Sequence, residues 1–292
     1  MRPSAVAAGT FDGLHIGHRF LINQLLSVAK KKKLKSVIVT LSSPVRHNTS
    51  LLTSLDEKLN LMKQFPVDEI IVLKTGPEIT GLPARTFFEE FLMRRLAVKH
   101  IVVGRNFAFG RNREGDIAWL KRECRKTRTV LDAVSPLKYG GEVVSSSRIR
   151  ALLHEGALSA ANSLLGRPYS IEGLPVKGMA IGRTLGFPTV NLAVKPCKLL
   201  PMGVFAAVTR GKDGKLFPSV VNIGLRPTFF DNETKLLEIH LLGFTGRWPE
   251  ANTAVHLLKH LRAEKKFSGR KNLINQIAKD VERTKEFFSR ET

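Results

Sequence analysis

Ala5-Val-Ala-Ala-Gly-Thr-Phe-Asp-Gly-Leu-His-Ile-Gly-His18 is the stretch of sequence that decides the fold of the first half of the chain. Its apolar start, Ala5–Ala8, is typical of a buried strand, and a helical pattern follows His18. In a doubly wound sheet, ligands bind where a strand ends and a helix begins. Glycines there let the backbone approach a phosphate, and the helix amides favour negative charge. The stretch therefore predicts a phosphate-binding turn.

Short apolar runs and helical patterns alternate up to about residue 165. The further runs that predict buried strands are Val37–Leu41, Ile70–Leu73, Ile101–Gly104 and Val130–Val134. Ser54-Leu-Asp-Glu57 and Thr86-Phe-Phe-Glu89 match the capping box, which satisfies free amides at a helix start. This alternation predicts an α/β domain with a parallel sheet and right-handed crossovers.

The pattern changes at Gly166, after which apolar segments are short and bounded by glycine and proline. Val204–Thr209 and Leu216–Val221 flank Lys212-Asp-Gly-Lys215, whose Asp-Gly step is typical of a hairpin turn. Leu236–Leu242 predicts another strand. A small antiparallel barrel fits these segments because closure removes exposed strand edges.

The chain ends in a helical pattern from about Lys271 to Phe288, whose apolar stripe indicates packing. The two halves predict two domains, residues 1–165 and 166–292, and the 292 residues suffice for a core in each. Cys124 and Cys197 belong to no Cys-x-x-Cys pair, so neither a disulfide framework nor a zinc site is predicted. With neither a signal-peptide core nor a membrane-spanning run, we expect a cytoplasmic protein that binds no membrane.

The chain is strongly basic, with 47 Lys and Arg against 25 Asp and Glu and a net charge of +22. Such a balance favours polyanionic ligands, and nucleic acid is the first candidate. The densest clusters, Lys30–Lys33 and Lys121–Arg128, are not interleaved with aromatic residues as a base-stacking surface would be. Solvated helix faces explain them better than a nucleic-acid site, and nucleotide substrates also benefit from the positive field.

Two segments of the first half suit phosphate chemistry. His15 and His18 could donate hydrogen bonds to charge that grows on the phosphates. The alternative is that they only cap the helix. Val144-Ser-Ser-Ser-Arg-Ile-Arg150 offers hydroxyl and guanidinium groups just before a helix, which suits a triphosphate. Together the two segments resemble the paired signatures of the nucleotidyltransferase superfamily.

The richest stretch of the second half runs from Gly178 to Asn191. Its spaced glycines permit a loop over phosphates, although no Walker A motif is present. Thr189 and Asn191 offer the hard oxygen ligands that suit Mg²⁺. A glycine-rich barrel corner with two polar surface residues explains the stretch equally well. Further on, Glu238 and His240 share one strand face, where a carboxylate could act as general base or simply be solvated.

The whole chain resembles the prokaryotic bifunctional riboflavin kinase/FAD synthetase family. The segments similar to that family's motifs in the first half are Gly9–His18, Val102–Gly110 with Arg113 and Gly115, and Val144–Arg150 with Ser147 in a threonine position. Those in the second half are Gly182–Asn191, Asn222–Thr228, Glu238-Ile-His240 and Leu261–Phe267.

The resemblance implies a Rossmann-like nucleotidyltransferase domain with a parallel sheet, which adenylylates FMN to FAD and releases pyrophosphate. It also implies a small antiparallel β-barrel riboflavin kinase domain with a C-terminal helix, which phosphorylates riboflavin to FMN. ATP, riboflavin, FMN and FAD are the implied substrates and products. Mg²⁺ is the implied metal, and no obligate protein partner is implied.

The resemblance also assigns roles to individual residues. Those implied in chemistry are His15, His18 and Arg150 in adenylyl transfer and Glu238 as base for the ribityl 5′-hydroxyl. Those implied in ATP binding are Gly9, Phe11, Asp12, Gly17, Ser146, Ser147, Gly178, Gly182 and Arg183. Those implied in flavin binding are Asn106, Phe107, Arg262 and Glu264, and the implied metal ligands are Thr189 and Asn191.

The sequence departs from the family pattern after its second strand. Where the family carries Pro-His-Pro, this chain reads Ser42-Ser-Pro-Val-Arg-His47, so the central histidine is missing unless His47 replaces it. Gly243 and Trp248-Pro249 also replace the family's usual residues near the flavin. One alternative is therefore a riboflavin kinase with a weak or inactive FAD synthetase domain. Another is a basic nucleic-acid-binding protein on a nucleotidyltransferase fold.

Overall fold

The computed structural model describes residues 2–43, 50–177, 181–226, 234–246 and 248–291. The chain divides into two compact units, Met1–Ser146 and Ser147–Thr292. Among the described residues, no helix is both long enough and apolar enough to cross a membrane.

The first unit is built on a five-stranded parallel sheet with the strand order β3-β2-β1-β4-β5. Its strands are β1 (Ser4–Gly9), β2 (Lys35–Leu41), β3 (Glu69–Leu73), β4 (Val98–Gly104) and β5 (Val130–Val134). All five predicted strands are therefore confirmed, each within three residues of its predicted start. The order reverses between β1 and β4, and in such sheets ligands bind beside that point, at the carboxyl ends of the strands.

Helices connect these strands and cover both faces of the sheet. Their bounds are α1 (Ile16–Lys32), α2 (Leu55–Met62), α3 (Pro77–Thr80), α4 (Ala84–Thr86) with its π-helical continuation Phe87–Arg95, the 3₁₀ turn Arg111–Arg113, and α5 (Ile117–Thr127). A short hairpin of β6 (Lys138–Tyr139) and β7 (Glu142–Val143) follows β5. One face of the sheet packs Ala5, Ala7 and Ile38 on α1, and the other packs Val6, Val37 and Val39 on the π-helical segment and α5.

One of the two predicted capping boxes is present and the other is wrong. Ser54 and Glu57 bind each other's backbone amides at the start of α2, which confirms the first prediction. Thr86 already has helical backbone angles and makes no capping bond. The helix begins two residues earlier, because the Glu114 carboxylate accepts a hydrogen bond from the Ala84 amide at 2.7 Å. A carboxylate from a distant part of the sequence therefore satisfies the helix start.

The second unit is a closed antiparallel barrel with the strand order β10-β11-β12-β9-β8-β13, as predicted. Its strands are β8 (Tyr169–Val176), β9 (Val190–Val194), β10 (Gly203–Arg210), β11 (Leu216–Arg226), β12 (Thr234–Leu241) and β13 (Thr253–Arg262). Its helices are α6 (Ser146–His154), which begins at the last residue of the first unit, α7 (Leu158–Leu165), α8 (Ile181–Thr184) and α9 (Arg270–Glu291). The hairpin between β10 and β11 and the C-terminal helix are both confirmed.

Helix α9 packs on the barrel through the stripe that the sequence marks for packing. Ile277 and Val281 contact Val204 on β10 and Val220 on β11. On β12, Leu237, Ile239 and Leu241 are buried whereas Glu238 and His240 are half-exposed, as alternation along a strand requires. Polar side chains therefore stand on one face of a strand whose other face forms core.

Candidate active sites

The loop of residues 9–18, between β1 and α1, has an unusual backbone. Phe11, Gly13 and Leu14 all have positive φ angles, of 51°, 79° and 38°. For Phe11 and Leu14 this conformation is costly, and such strain is concentrated at functional sites. Gly17 contributes by lacking a side chain, because a Cβ atom there would lie 3.2 Å from Nδ1 of His15.

The two histidines of this loop are stacked on each other at the start of α1. Their ring centroids are 3.6 Å apart and their planes differ by 15°. The Nδ1 atom of His15 accepts a hydrogen bond from the His18 amide at 3.3 Å and so caps the helix. A neutral His15 therefore carries its ring proton on Nε2. His15 therefore caps the helix, and its Nε2–H group stands at a helix end that favours anions, so both interpretations stay open.

The side chain of Asp12 ties the loop to the segment before α2. Its buried carboxylate accepts hydrogen bonds from the amides of Leu52 and Thr53 at 3.0 and 3.1 Å. The Gly13 amide donates to the hydroxyl of Thr53 at 3.0 Å. The carboxylate therefore holds the segment before α2 against the loop, and a contact between Asp12 and ATP stays a prediction.

One residue of the second phosphate signature belongs to the first unit and lies beside the loop. The Ser146 hydroxyl donates to the carbonyl oxygen of Asp12 at 2.8 Å. Ser147, which is exposed, and Arg150, which is half-buried, follow on α6. Their roles toward the triphosphate stay predictions.

The segment predicted to contact the flavin follows β4, the neighbour of β1 at the reversal of the sheet. Asn106 is exposed, and Phe107 stacks on Phe109 with ring centroids 5.5 Å apart. The edge of Phe109 in turn meets Trp119 at 5.6 Å. The rings of Phe107, Phe109 and Trp119 therefore lie at the same edge of the sheet as the histidine loop, where an isoalloxazine ring could pack.

Lys58 lies at the carboxyl ends of β1 and β2, and the sequence did not predict a role for it. It is buried on α2, and its ammonium donates to the carbonyl oxygens of Thr10 and Leu41 and to the hydroxyl of Thr40, at 3.1, 2.6 and 3.1 Å. A signal for it exists in the sequence. Lys58 follows Leu55 by three positions and precedes Met62 by four, so it is a cation on the apolar stripe of a helix.

The burial of Lys58 predicts a pH dependence of stability. Desolvation lowers the pKa of its ammonium from 10.5 to about 8, although the charge of Asp12 offsets part of this effect. Between pH 8 and pH 10 the unfolded chain holds this proton more strongly than the folded chain, so the free energy of unfolding rises with pH. Relative to Lys58→Met, the wild type should gain about 2 kcal/mol over this range.

The measurement is urea unfolding of both proteins at pH 8 and pH 10. Trp119 fluorescence reports on the first unit when Trp248 is replaced by phenylalanine in both. Groups other than Lys58 titrate in both proteins and cancel in the difference. A difference in unfolding free energy that stays constant from pH 8 to pH 10 would contradict the prediction.

In the second unit, Glu238 stands in a row of polar residues across three strands. On β12 it is in register with Asn191 of β9 on one side and with Asn222 of β11 on the other. Register partners share a face of the sheet, with Cβ atoms about 5 Å apart. The carboxylate is therefore flanked by two amide side chains. Asn222 begins the family-like segment Asn222–Thr228, but the resemblance implied no role for it.

A hydrogen bond holds the loop before β9 next to the row Asn191, Glu238 and Asn222. His240 donates from Nδ1 to the carbonyl oxygen of Pro188 at 2.9 Å. A Cβ atom on Gly182 would lie 3.0 Å from the Thr189 hydroxyl, so this glycine lets the backbone rest against Thr189. Gly178 and the side chain of Arg183 lie outside the described residues, as do Thr228 and the Pro44–His47 part of the departing segment.

The segment after β13, predicted to close over the flavin, contacts β11 through Glu264. Its carboxylate lies directly against Gly224 and occupies the space where a Cβ would stand. Gly224 and Asn222 are two positions apart on β11 and therefore share a face. The structure therefore brings Glu264 to the face that carries the row Asn191, Glu238 and Asn222.

Arg262, the other predicted flavin residue of this segment, is held by a buried acid. Its Nε and Nη2 atoms lie 2.9 and 2.8 Å from the carboxylate of Asp280 on α9, whose side chain is 2% exposed. Gln276 also donates to Asp280 at 3.0 Å. The guanidinium thus ties the segment after β13 to α9, and any contact of Arg262 with flavin stays a prediction.

We expect Asp280→Asn to destabilise the second unit by about 3 kcal/mol, because it removes the buried charge that pairs with the half-buried Arg262 guanidinium. Urea unfolding measures this through Trp248 fluorescence when Trp119 is replaced by phenylalanine. Glu282→Gln is the matched control, since Glu282 lies on the exposed face of α9 and its Lys285 contact is long, at 3.5 Å. A loss below about 1 kcal/mol, the usual value for a surface ion pair, would contradict the prediction.

Comparison with known proteins separates the same two parts of the chain. A family model described as FAD synthetase matches residues 1–148, and one described as riboflavin kinase matches residues 165–288. The bifunctional riboflavin kinase/FMN adenylyltransferase of Escherichia coli K12 is 34% identical over 287 residues, which cover 96% of this chain and 91% of that protein. The chain belongs to this bifunctional family.

Other members of the family show similar coverage. The protein of Buchnera aphidicola subsp. Schizaphis graminum is 33% identical over 98% of this chain and 94% of its own length. That of Bacillus subtilis 168 is 30% identical over 98% of this chain and 93% of its own length. A solved structure called macrolide-efflux protein from Streptococcus pneumoniae matches with a TM-score of 0.85 at 26% identity, covering 97% of this chain and 94% of its own. The family resemblance drawn from the sequence is confirmed.

Proposed function

We propose that this chain makes FMN from riboflavin in its barrel and FAD from FMN in its parallel-sheet unit. The observation that carries the proposal is the match of each unit to one of the two family models, FAD synthetase at residues 1–148 and riboflavin kinase at residues 165–288. We propose a domain boundary between residues 165 and 166, and the kinase match from residue 165 onward supports it. We also propose that the chain works in the cytoplasm on small molecules, without an obligate protein partner.

In the kinase reaction, Glu238 acts as general base. Its carboxylate takes the proton of the ribityl 5′-hydroxyl while that oxygen bonds to the γ-phosphorus of ATP and the bond to the β-phosphate oxygen breaks. FMN and ADP are the products, and the proton then passes from Glu238 to solvent. Asn191 and Asn222 stand on either side of Glu238, where their amides can orient the carboxylate or the reacting groups.

Thr189 and Asn191 are the residues that would hold Mg²⁺. They supply a hydroxyl and an amide oxygen, which are hard ligands. Because Gly182 has no Cβ, its backbone can lie close to the Thr189 hydroxyl. Mg²⁺ usually binds few protein ligands and completes its shell with phosphates and water. When bound, it would neutralise phosphate charge and orient the leaving group.

In the adenylyl transfer reaction, the protein supplies charge stabilisation and position. An FMN phosphate oxygen bonds to the α-phosphorus of ATP, the bond to the β-phosphate oxygen breaks, and pyrophosphate leaves. The attacking phosphate is already ionised, so this step needs no protein base. His15 and His18, together with the amides at the start of α1, donate hydrogen bonds to the growing charge. The rings of Phe107, Phe109 and Trp119 pack against the flavin.

One alternative keeps the kinase but weakens the synthetase. The observation that favours it is the missing histidine of the Pro-His-Pro segment. The alternative of a nucleic-acid-binding protein is less well supported, since two family models for enzymes of small molecules match the two halves.

Product stoichiometry tests the proposal. With riboflavin and Mg-ATP, we expect one ADP for each FMN formed. With FMN and Mg-ATP, we expect one pyrophosphate for each FAD and no ADP, and a metal chelator should stop both reactions. FMN formation without pyrophosphate release would support the kinase-only alternative, and release of neither product would contradict the proposal.

A further inference from the structure

The Lys58 ammonium joins the carboxyl ends of two neighbouring strands. Its acceptor Thr10 lies directly after β1, within the histidine loop, while Thr40 and Leu41 end β2. The Thr40 hydroxyl also donates to the Thr10 carbonyl at 3.2 Å, so one small network links the two strand ends. An ammonium has three N–H groups, and these three acceptors use all of them.

We propose that Lys58 is a positioning residue for adenylyl transfer, which holds the histidine loop and the end of β2 in the geometry the reaction needs. The proposal rests on the proposed function of the first unit. Lys58 does not touch substrate, because its three N–H groups are bound to the protein. It acts instead through the backbone of Thr10, one residue before Phe11 and two before Asp12.

The strained loop needs such support. Phe11, Gly13 and Leu14 have positive φ angles, and conformations of this kind persist only where the surroundings over-determine them. Asp12 fixes one side of the loop through Leu52 and Thr53. Lys58 fixes the other side through Thr10. The two supports come from residues just before and within α2, so this helix sets the position of the loop.

The end of β2, which Lys58 holds, leads into the segment where the family carries Pro-His-Pro. Thr75 binds the start of that segment, because its hydroxyl accepts from the Ser43 amide at 3.2 Å and donates to the Ser43 carbonyl at 2.6 Å. Lys58 thus fixes the point at which this departing segment leaves the sheet. Burying a cation is costly, and an apolar residue on the stripe of α2 would avoid that cost, which points to a role beyond packing.

The test replaces Lys58 by methionine, which keeps the length of the side chain and removes its charge and donors. We expect kcat for FAD formation from FMN to fall about 10²-fold, because small misplacements of groups that stabilise the transition state have effects of this size. The KM for ATP should change less than about threefold, because ground-state binding depends less on this geometry. FMN formation by the same chains should be unchanged and serves as an internal control.

Two further variants separate positioning from folding. Ser36→Ala removes a buried hydroxyl that bonds Asp68 at 2.6 Å at the opposite end of β2, so it should destabilise the unit while leaving FAD formation unchanged. Thr40→Val removes one acceptor of Lys58 with little change of shape and should lower kcat about threefold to tenfold. If Lys58→Met fails to fold, Thr40→Val decides the question.

Hydrogen exchange gives a readout that does not require activity. In the wild type, the amides of Gly13 and Leu14 are bonded to the Thr53 hydroxyl and the Phe11 carbonyl. Lys58→Met should speed their exchange at least tenfold without affecting amides of β4. Unchanged kcat and unchanged exchange in both Lys58→Met and Thr40→Val would overturn the proposal, as would an equal loss of kcat in Ser36→Ala. A wild type that makes no FAD contradicts the function of this unit instead, and exchange then still decides the role of Lys58.

Discussion

Replacing Glu238 by glutamine should lower kcat for FMN formation from riboflavin about 10³-fold, the usual effect of removing a general base. Glutamine keeps the shape of the side chain, and the flanking residues Asn191 and Asn222 can still bond to it. It cannot accept the 5′-hydroxyl proton. The same variant should convert FMN to FAD at the wild-type rate, because Glu238 belongs to the barrel. The measurement is ADP release with riboflavin, followed by pyrophosphate release with FMN.

Glu172→Gln is the matched control for this prediction. Glu172 is also a glutamate on a barrel strand, and it bonds Asn252 at 3.0 Å in an exposed place. It should keep full activity. A Glu238→Gln enzyme within about tenfold of wild type would assign the base to another group and leave Glu238 a solvated surface residue.

Replacing His15 by asparagine should lower kcat for FAD formation about 10²-fold, and the double variant that combines His15→Asn with His18→Asn should lower it about 10³-fold. Asparagine is a good helix cap, so it can replace the bond from His15 to the backbone amide of residue 18. It cannot replace the ring N–H on Nε2. The variant therefore separates capping of α1 from donation to phosphate, the two interpretations that the sequence left open.

Pyrophosphate release with FMN and Mg-ATP measures this effect, and FMN formation from riboflavin shows that the chain is folded. His100→Asn is the control within the same unit, since His100 is buried and bonds Asp132 at 2.7 Å near the start of β4. Wild-type FAD formation by His15→Asn would mean that His15 only caps the helix.

The elements that the sequence predicts well are those whose signal is local. The five strands of the sheet are short apolar runs, and each is present. The barrel hairpin follows from the Asp-Gly step at residues 213–214. The capping box at Thr86 was wrong because the same letters suit the start or the interior of a helix. The deciding contact comes from Glu114, which is 30 residues away.

Lys58, Asp280 and the role of Asn222 were missed for the same reason, and Arg262 was predicted only as a flavin contact. Lys58 and its acceptor Thr10 are 48 residues apart, and Arg262 and Asp280 are separated by 18. Asn222 becomes part of the Glu238 row only through the pairing of β11 with β12. Residues predicted to meet the substrates lie in compact motifs, whereas those that hold them in place are distributed over elements that only folding brings together.

The central claim is that one chain carries both activities, and a time course with the wild-type protein tests it most directly. The purified chain is incubated with riboflavin and Mg-ATP, and the flavins are separated by chromatography. We expect FMN to rise first and then to give way to FAD. FMN that accumulates without any FAD, even after prolonged incubation, would contradict the claim for the parallel-sheet unit. Riboflavin that stays unchanged, together with FMN that is not converted when supplied directly, would contradict it for the whole chain.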